Sequence, residues 1–211
     1  MMNVKQTYDI WSDQYDTNTN KTRDLEAFSL RKTLEKYDFE ECLEIGCGTG
    51  KNTEFLLKKA KNIVAVDFST GMLAKAKEKI LATNVRFIQA DITGDWNFGD
   101  KRFDLVTFSL VLEHIENLNE ILNKVSLVTK KNALVYIGEL HPFKQYSGTK
   151  ARFETGNGTQ MVICFKHHIS DFTLAAKQNG FEIIGLHEYF DDSERLSIPR
   201  ILTLLLSKNE F

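Results

Sequence analysis

The chain has 211 residues, 42% of them hydrophobic, and a formal charge of −2 with acids and bases mixed along its length. That length buries one sizeable core rather than two, and the charge balance gives no electrostatic case for nucleic acid or an anionic membrane as main partner. The three cysteines, Cys42, Cys47 and Cys164, are odd in number and lack metal-ligand spacing, which fits a reduced, cytoplasmic setting.

One domain over residues 1–211 is expected. The N-terminus has no apolar signal segment, and the apolar run at residues 201–206 is too short to cross a bilayer. Tyr8, Trp11 and Tyr15 recur at helical spacing and form one aromatic face. That face either packs on a sheet or lies as a lid over a site, the lid segment reaching to about residue 40. After a polar connection at 17–21, Asp24 to Tyr37 reads as an amphipathic helix. Strands are then expected at about 41–45, 62–66, 85–90, 103–108 and 132–139, alternating with helices at about 50–60, 70–82 and 117–129. A helix at 168–179 ends at Gly180, and strands from Phe181 to Phe190 and at about 199–207 finish the chain. Such alternation predicts an α/β fold, a mostly parallel sheet covered on both faces.

The first strand runs into Gly46, Gly48 and Gly50, spaced two apart, and then a helix. Glycine permits positive φ and a close approach of ligand to backbone, and a helix start offers unpaired N–H groups. The turn suits a nucleotide-like ligand or a carboxylate, although the dinucleotide fingerprint has the spacing Gly-x-Gly-x-x-Gly. The second strand ends in Asp67, placed to accept hydrogen bonds from both ribose hydroxyls. The third ends in Asp91, placed to receive an amino group on an adenine.

The stretches Leu43–Gly50, Val66-Asp67-Phe68-Ser69, Gln89–Ile92 and Phe103-Asp104-Leu105-Val106 through Leu112-Glu113-His114-Ile115 together resemble a class I S-adenosylmethionine-dependent methyltransferase. The likeness is to the small-molecule, type 11-like branch that includes quinone- and biotin-pathway enzymes, and it runs from about residue 40 to 140. It implies a Rossmann-like sheet of seven strands, the last inserted antiparallel between the fifth and sixth. It also implies S-adenosylmethionine as donor and S-adenosylhomocysteine as product, a small-molecule acceptor, and no metal. In that reading Tyr15 contacts the donor through its ring, Glu44 helps hold the donor's amino group and Asp67 binds the ribose. Phe68 lies beside Asp67, Met72 covers the adenine, Asp91 and Ile92 meet its edge, and Ser109 faces the methionine part.

Methyl transfer from a sulfonium is an in-line displacement in which positioning supplies about 7–11 kcal/mol of barrier reduction. A base is optional. Glu113 and His114 follow strand four within reach of the reacting end, and His141 follows strand five. Either histidine is placed to take a proton, or merely to cap a helix or bond the backbone. His167 and His168 open a helix and read as structural; no histidine pair shows metal-site spacing with a carboxylate on one helix.

Residues 142–167 interrupt the alternation, and the turn Gly156-Asn157-Gly158 between two apolar runs predicts a β-hairpin. Leaving the carboxyl end of strand five, where ligands bind in open α/β sheets, it is expected to cap the acceptor with Tyr146, Arg152 and Phe153. Two other readings stay open. An NAD-dependent oxidoreductase uses the same loop and Asp67, but the glycine spacing, the Asp67–Asp91 pair and the missing Tyr-x-x-x-Lys unit oppose it. A donor-binding regulatory or scaffold protein without catalysis is the other. Motifs of nucleic-acid methyltransferases are missing, and oligomeric state cannot be read.

Overall fold

A computed structural model describes residues 3–99, 102–149, 151–155 and 158–209, with the backbone alone over 152–155 and 158–160. Strands β1 (Glu41–Ile45), β2 (Asn62–Asp67), β3 (Val85–Gln89), β4 (Phe103–Ser109) and β5 (Thr129–Leu140) pair in parallel. The chain later returns as β8 (Phe181–Tyr189) and β9 (Ile201–Lys208), and β9 runs antiparallel between β5 and β8. The resulting seven-stranded sheet has the order β3-β2-β1-β4-β5-β9-β8, the arrangement the family resemblance implies.

The sheet's pleat sends alternate side chains to opposite faces. Leu43 and Ile45 of β1 join one core with helices α5 (Leu118–Val128) and α7 (Ile169–Gln178). Cys42 joins the other with α2 (Lys21–Leu34) and α3 (Thr53–Leu56). Helix α4 (Thr70–Lys79) packs beside β2 and β3, and α1 (Val4–Trp11) packs on α4. Helix ends follow side-chain capping: Asn3, Asn20, Ser69 and Asn117 each accept a backbone N–H of the helix they precede.

Several elements depart from the sequence reading. The helix expected at 50–60 is a single α turn. Beyond Leu56 the bonds are mixed, i→i−3 from Lys58 N to Phe55 O and Lys59 N to Leu56 O but i→i−4 from Ala60 N to Leu56 O, before Lys61 and Asn62 bond Glu40 O to start β2. So short a helix supplies little dipole, and the expected helix-start contribution to ligand binding is correspondingly reduced. Strand β5 begins three residues early, its register on β4 shifting between Phe103 and Leu105. An extra helix, α6 (Pro142–Tyr146), opens the 142–167 segment with Pro142 in its first turn and His141 as its cap. The hairpin exists as β6 (Arg152–Thr155) and β7 (Gly158–Met161), its second strand earlier than the apolar run at 161–165. Gly156 and Asn157 of the expected turn lie outside the described residues, and so do the side chains of Arg152 and Phe153.

Candidate donor and acceptor site

The carboxyl ends of β1, β2 and β4, closed over by the N-terminal segment, enclose a cavity of about 500 Å³. The glycine loop forms its floor. Gly46 has φ +72° and Gly48 φ +54°, and both N–H groups of Gly46 and Cys47 bond Val66 O. A Cβ on Gly46 would lie 2.0 Å from Val111 Cγ2, whereas above Gly48 the nearest atom is Tyr15 Cε1 at 4.0 Å. The Gly48 backbone is therefore bare to a ligand sliding beneath Tyr15.

Asp67, at the tip of β2, lines the cavity and accepts Gly48 N–H at Oδ2 and Ser69 N–H at Oδ1, both at 2.8 Å. Burial pushes its carboxyl up to about 6, against the hydrogen bonds from Ser69, Gly48 and Phe68 that favour the charged form. Phe68, Met72, Asp91, Ile92 and Ser109 line the same cavity. Asp91 is tied into a turn by Thr93, whose N–H and hydroxyl both donate to Oδ1 at 2.9 and 2.7 Å.

The lid is built from a repeated pair. Tyr8 and Tyr15 face the cavity, and Trp11 stacks on Tyr8 with ring centroids 5.5 Å apart. The aspartate after each tyrosine ties the lid down. Asp9 Oδ1 accepts Ser69 Oγ–H at 2.6 Å and Gly71 N–H at 3.0 Å; Asp16 Oδ1 accepts Thr49 Oγ1–H at 2.6 Å, and Asp16 also pairs with Lys79. Partial burial opposes the Asp9 charge, but Lys5, Ser69 and Gly71 hold the carboxyl down at about 2.

On the opposite wall, strand β4 is followed by Leu110 at φ +57°, a strained conformation for leucine, and then by the 3₁₀ turn Leu112–His114. His114 lies in the cavity wall, its Nδ1 2.8 Å from Ile163 O and its Nε2 2.9 Å from the Tyr8 hydroxyl. A carbonyl only accepts, so Nδ1 carries the proton and the Nε2 lone pair accepts Tyr8 O–H. Burial raises the Tyr8 hydroxyl well above its ordinary range, which keeps it a neutral donor to His114.

Four of the residues singled out from sequence lie away from this cavity. Glu44 shares the Cys42 face of β1 rather than the Ile45 face; it is buried under the loop, accepts Thr53 Oγ1–H at 2.6 Å, and burial lifts its carboxyl to about 8. Gly50 (φ +86°) backs onto α4, where an added Cβ would meet Ile80 Cγ1 at 3.2 Å. His141 is fully buried: Nδ1 accepts Phe143 N–H at 3.1 Å, so Nε2 carries the hydrogen donated to Glu188 Oε1 at 3.0 Å. Burial lowers its basicity, the Glu188 charge opposing. Tyr146 turns outward and bonds His168 Nδ1 at 2.5 Å.

Sequence reasoning missed Asn3, Val4, Ile163 and Phe165, which also line the cavity. Phe165 N–H bonds Glu113 O at 2.7 Å, so the segment after β7 is sewn to the 3₁₀ turn, a pairing no local pattern announces. Beneath the loop lies an unforeseen buried network: Asn52 donates to Glu26 Oε2 at 3.0 Å and Ser109 Oγ at 3.2 Å, and Tyr136 donates to Glu26 Oε1 at 3.1 Å. A second cavity of about 220 Å³ adjoins the first across Tyr8, Tyr15 and Leu110 and is also lined by Arg23 and Glu113.

Residues 43–137 match the family model described as "Methyltransferase domain". A demethylmenaquinone methyltransferase of Corynebacterium efficiens is 33% identical over 64% of this chain and 59% of its own length; the chain spans about half the length of most curated relatives it matches. Among solved structures, an S-adenosylmethionine-dependent methyltransferase of Listeria monocytogenes superposes with a TM-score of 0.76 at 21% identity, covering 89% of this chain and 99% of the other. An N-methyltransferase of Bradyrhizobium japonicum in complex with S-adenosyl-L-homocysteine gives 0.73 at 16% identity, covering 99% and 100%.

Proposed function

We propose that the chain, which matches a methyltransferase domain over residues 43–137 and shares the fold of S-adenosylmethionine-dependent methyltransferases, transfers a methyl group from S-adenosylmethionine to a small organic acceptor. The observation that carries the reading is Asp67, a half-buried carboxylate lining the cavity beside the bare Gly48 backbone. A ribose with two free hydroxyls matches that carboxylate, whose oxygens keep acceptor capacity beyond their backbone bonds. Gly46 and Gly48 lie under the donor's amino acid end, Tyr8 and Tyr15 over its sulfonium, where a ring near a desolvated cation contributes about 2 kcal/mol. Met72, Asp91 and Ile92 take the adenine.

When bound, the donor supplies its own activated methyl group, so the chain's work is alignment, exclusion of water and removal of a proton. The lid over Tyr8 and Tyr15 covers the reacting end. His114 Nε2, already accepting the Tyr8 hydroxyl, is the proton acceptor: a proton given to the Tyr8 oxygen is passed on as Tyr8 gives its own to Nε2. The whole chain acts as one domain, with residues 3–16 as lid, α2 packed into the core behind it, and 142–167 as cap on the acceptor side.

Thermal unfolding with S-adenosylhomocysteine, with NAD and with neither tests the reading. At about a hundred times its dissociation constant a ligand adds about 2.7 kcal/mol, which for a chain of this size raises the midpoint by roughly 5–11 °C. S-adenosylhomocysteine alone produces the rise, and Asp67→Ala removes most of it. A rise with NAD alone overturns the proposal in favour of hydride transfer, and no rise with either overturns donor binding.

A further inference from the structure

The smaller cavity is lined by two polar groups of opposite charge, each with one buried atom that no described residue pairs. Glu113 is 6% exposed; a hydrogen bond with Cys164 favours its charged form, but its Oε2 has no hydrogen-bond partner among the described residues. Arg23 Nε–H is buried and likewise unpartnered, although its terminal nitrogens are committed, one to Tyr15 O and one to Asn18 O at 2.7 Å. The guanidinium lies 4.0 Å from the Tyr15 ring centroid, which fixes its plane. No ion pair joins the two groups, although both line the same space. A buried carboxylate oxygen and a buried guanidinium N–H without partners are costly. Two of them facing one cavity, and not each other, mark a site awaiting a ligand that carries both complements.

Resting on the methyl-transfer reading above, we infer that this cavity binds the acceptor, and that the acceptor is a small amine carrying an oxyanion, its ammonium at Glu113 and its carboxylate or equivalent anion at Arg23. Size agrees. A space of 220 Å³ is the liquid volume of about seven waters, room for a molecule on the scale of a small amino acid. Position agrees as well: Tyr8, Tyr15 and Leu110 line both cavities, which sets the acceptor space directly beside the donor space.

The amine is the methylated group. An anion held by a guanidinium is a weakened nucleophile, while the nitrogen beside Glu113 lies next to the Tyr8–His114 pair. The ammonium gives one proton to the Tyr8 oxygen as Tyr8 passes its own to His114 Nε2, leaving a neutral amine and an imidazolium. The nitrogen lone pair forms the N–C bond while the C–S bond breaks and sulfur keeps the electron pair. N-methylammonium and thioether depart, and the imidazolium returns its proton to solvent. Glu113, immediately before His114, binds the ammonium and stabilises that imidazolium.

The test measures S-adenosylhomocysteine release with glycine, β-alanine, γ-aminobutyrate, propylamine, propionate and catechol, for wild type, Glu113→Gln and Arg23→Gln. Calorimetric titration of S-adenosylhomocysteine, and of each compound into that complex, accompanies it. An amino acid is bound and turned over in preference to its amine and acid analogues. Glu113→Gln raises KM for amino acid and amine alike by at least tenfold; Arg23→Gln does so for the amino acid only, erasing its advantage over propylamine. Affinity for S-adenosylhomocysteine stays within twofold in both variants, which shows that they fold and keep the donor site. Catechol turned over in place of the amines, unchanged KM in the variants, or S-adenosylhomocysteine binding with no amine bound or turned over each overturns the inference. Failure of wild type to bind S-adenosylhomocysteine removes the methyl-transfer reading, and this one with it.

Discussion

Substituting Gly46 by alanine tests the geometry of the loop most directly. Two costs are legible. The residue sits at φ +72°, where a Cβ costs about 1–2 kcal/mol. The new methyl would also fall 2.0 Å from Val111 Cγ2, an overlap that something must relieve; overpacking of this kind costs about 1–3 kcal/mol. Together they predict a loss of roughly 2–5 kcal/mol, or a midpoint lowered by roughly 4–20 °C. The second cost belongs to Val111 and the first does not, so Val111→Ala in the same chain recovers the clash and leaves the backbone strain. In a double-mutant cycle measured by denaturant unfolding, the two substitutions couple favourably by about 1–3 kcal/mol. Additive effects, with coupling below about 0.5 kcal/mol, would refute the contact between the loop and the start of the 3₁₀ turn.

Three further outcomes follow from titration and chemistry. The proposed ribose contact has Asp67 bind in its charged form, and burial holds its carboxyl at about 6; S-adenosylhomocysteine affinity is therefore expected to be about tenfold weaker at pH 5 than at pH 8. A flat calorimetric profile across that range contradicts the ribose assignment. Burial raises Glu26 to about 7 and both Glu44 and Glu139 to about 8, so the native state holds protons the unfolded chain has released. Their stabilisation is complete below the unfolded carboxylate range and is lost as pH rises through 6 to 8, while Asp9, held at about 2, is lost only at much lower pH. The ligand-free midpoint is accordingly higher at pH 5.5 than at pH 8, and the reverse order would show these carboxylates to be solvated. His114→Asn lowers kcat by about 10²–10⁴ with S-adenosylhomocysteine affinity unchanged; an unaltered kcat and pH profile would leave His114 as a mere anchor for Tyr8.

What the sequence made legible is what lies close together along it. The three glycines, the acids closing β2 and β3, and the strand–helix alternation are each set within a few residues, and local pattern reaches that far. The place of β9 between β5 and β8 came from family likeness, because strand order is decided by packing and not by periodicity. Glu44 shows a local limit. It stands one position before cavity-lining Ile45, and the pleat of β1 sends the two to opposite faces. His141 shows another: Pro142 at a helix start was a readable sign that the residue before it caps a helix. The second cavity had no local sign at all. Arg23 on α2 and Glu113 on the 3₁₀ turn stand ninety positions apart (23 and 113) and meet only because the lid folds over the carboxyl ends of β4 and β5.

The lid's own energetics tie the two cavities to one motion. Helix α1 has 8 residues, below the about 12–15 an isolated helix needs to persist in water, so its order comes from docking. That docking rests on few groups: Asp9 at the start of α4, Asp16 on Thr49 and Lys79, and the stacked rings of Tyr8, Trp11 and Tyr15. Segments of this kind open locally at a small fraction of the global unfolding free energy. Opening removes Tyr8 and Tyr15 from both cavities at once, so the acceptor space exists only while the lid is closed. A donor analogue placed beneath the two rings favours the closed state by its differential affinity and builds the acceptor space as it does so. Amide hydrogen exchange over residues 3–16 therefore slows when S-adenosylhomocysteine is added, and Asp9→Asn with Asp16→Asn speeds it in the ligand-free protein while exchange in β1 and β4 is unchanged. Equal exchange over 3–16 with and without S-adenosylhomocysteine would mean that the lid is a fixed wall, and donor and acceptor would then bind in either order.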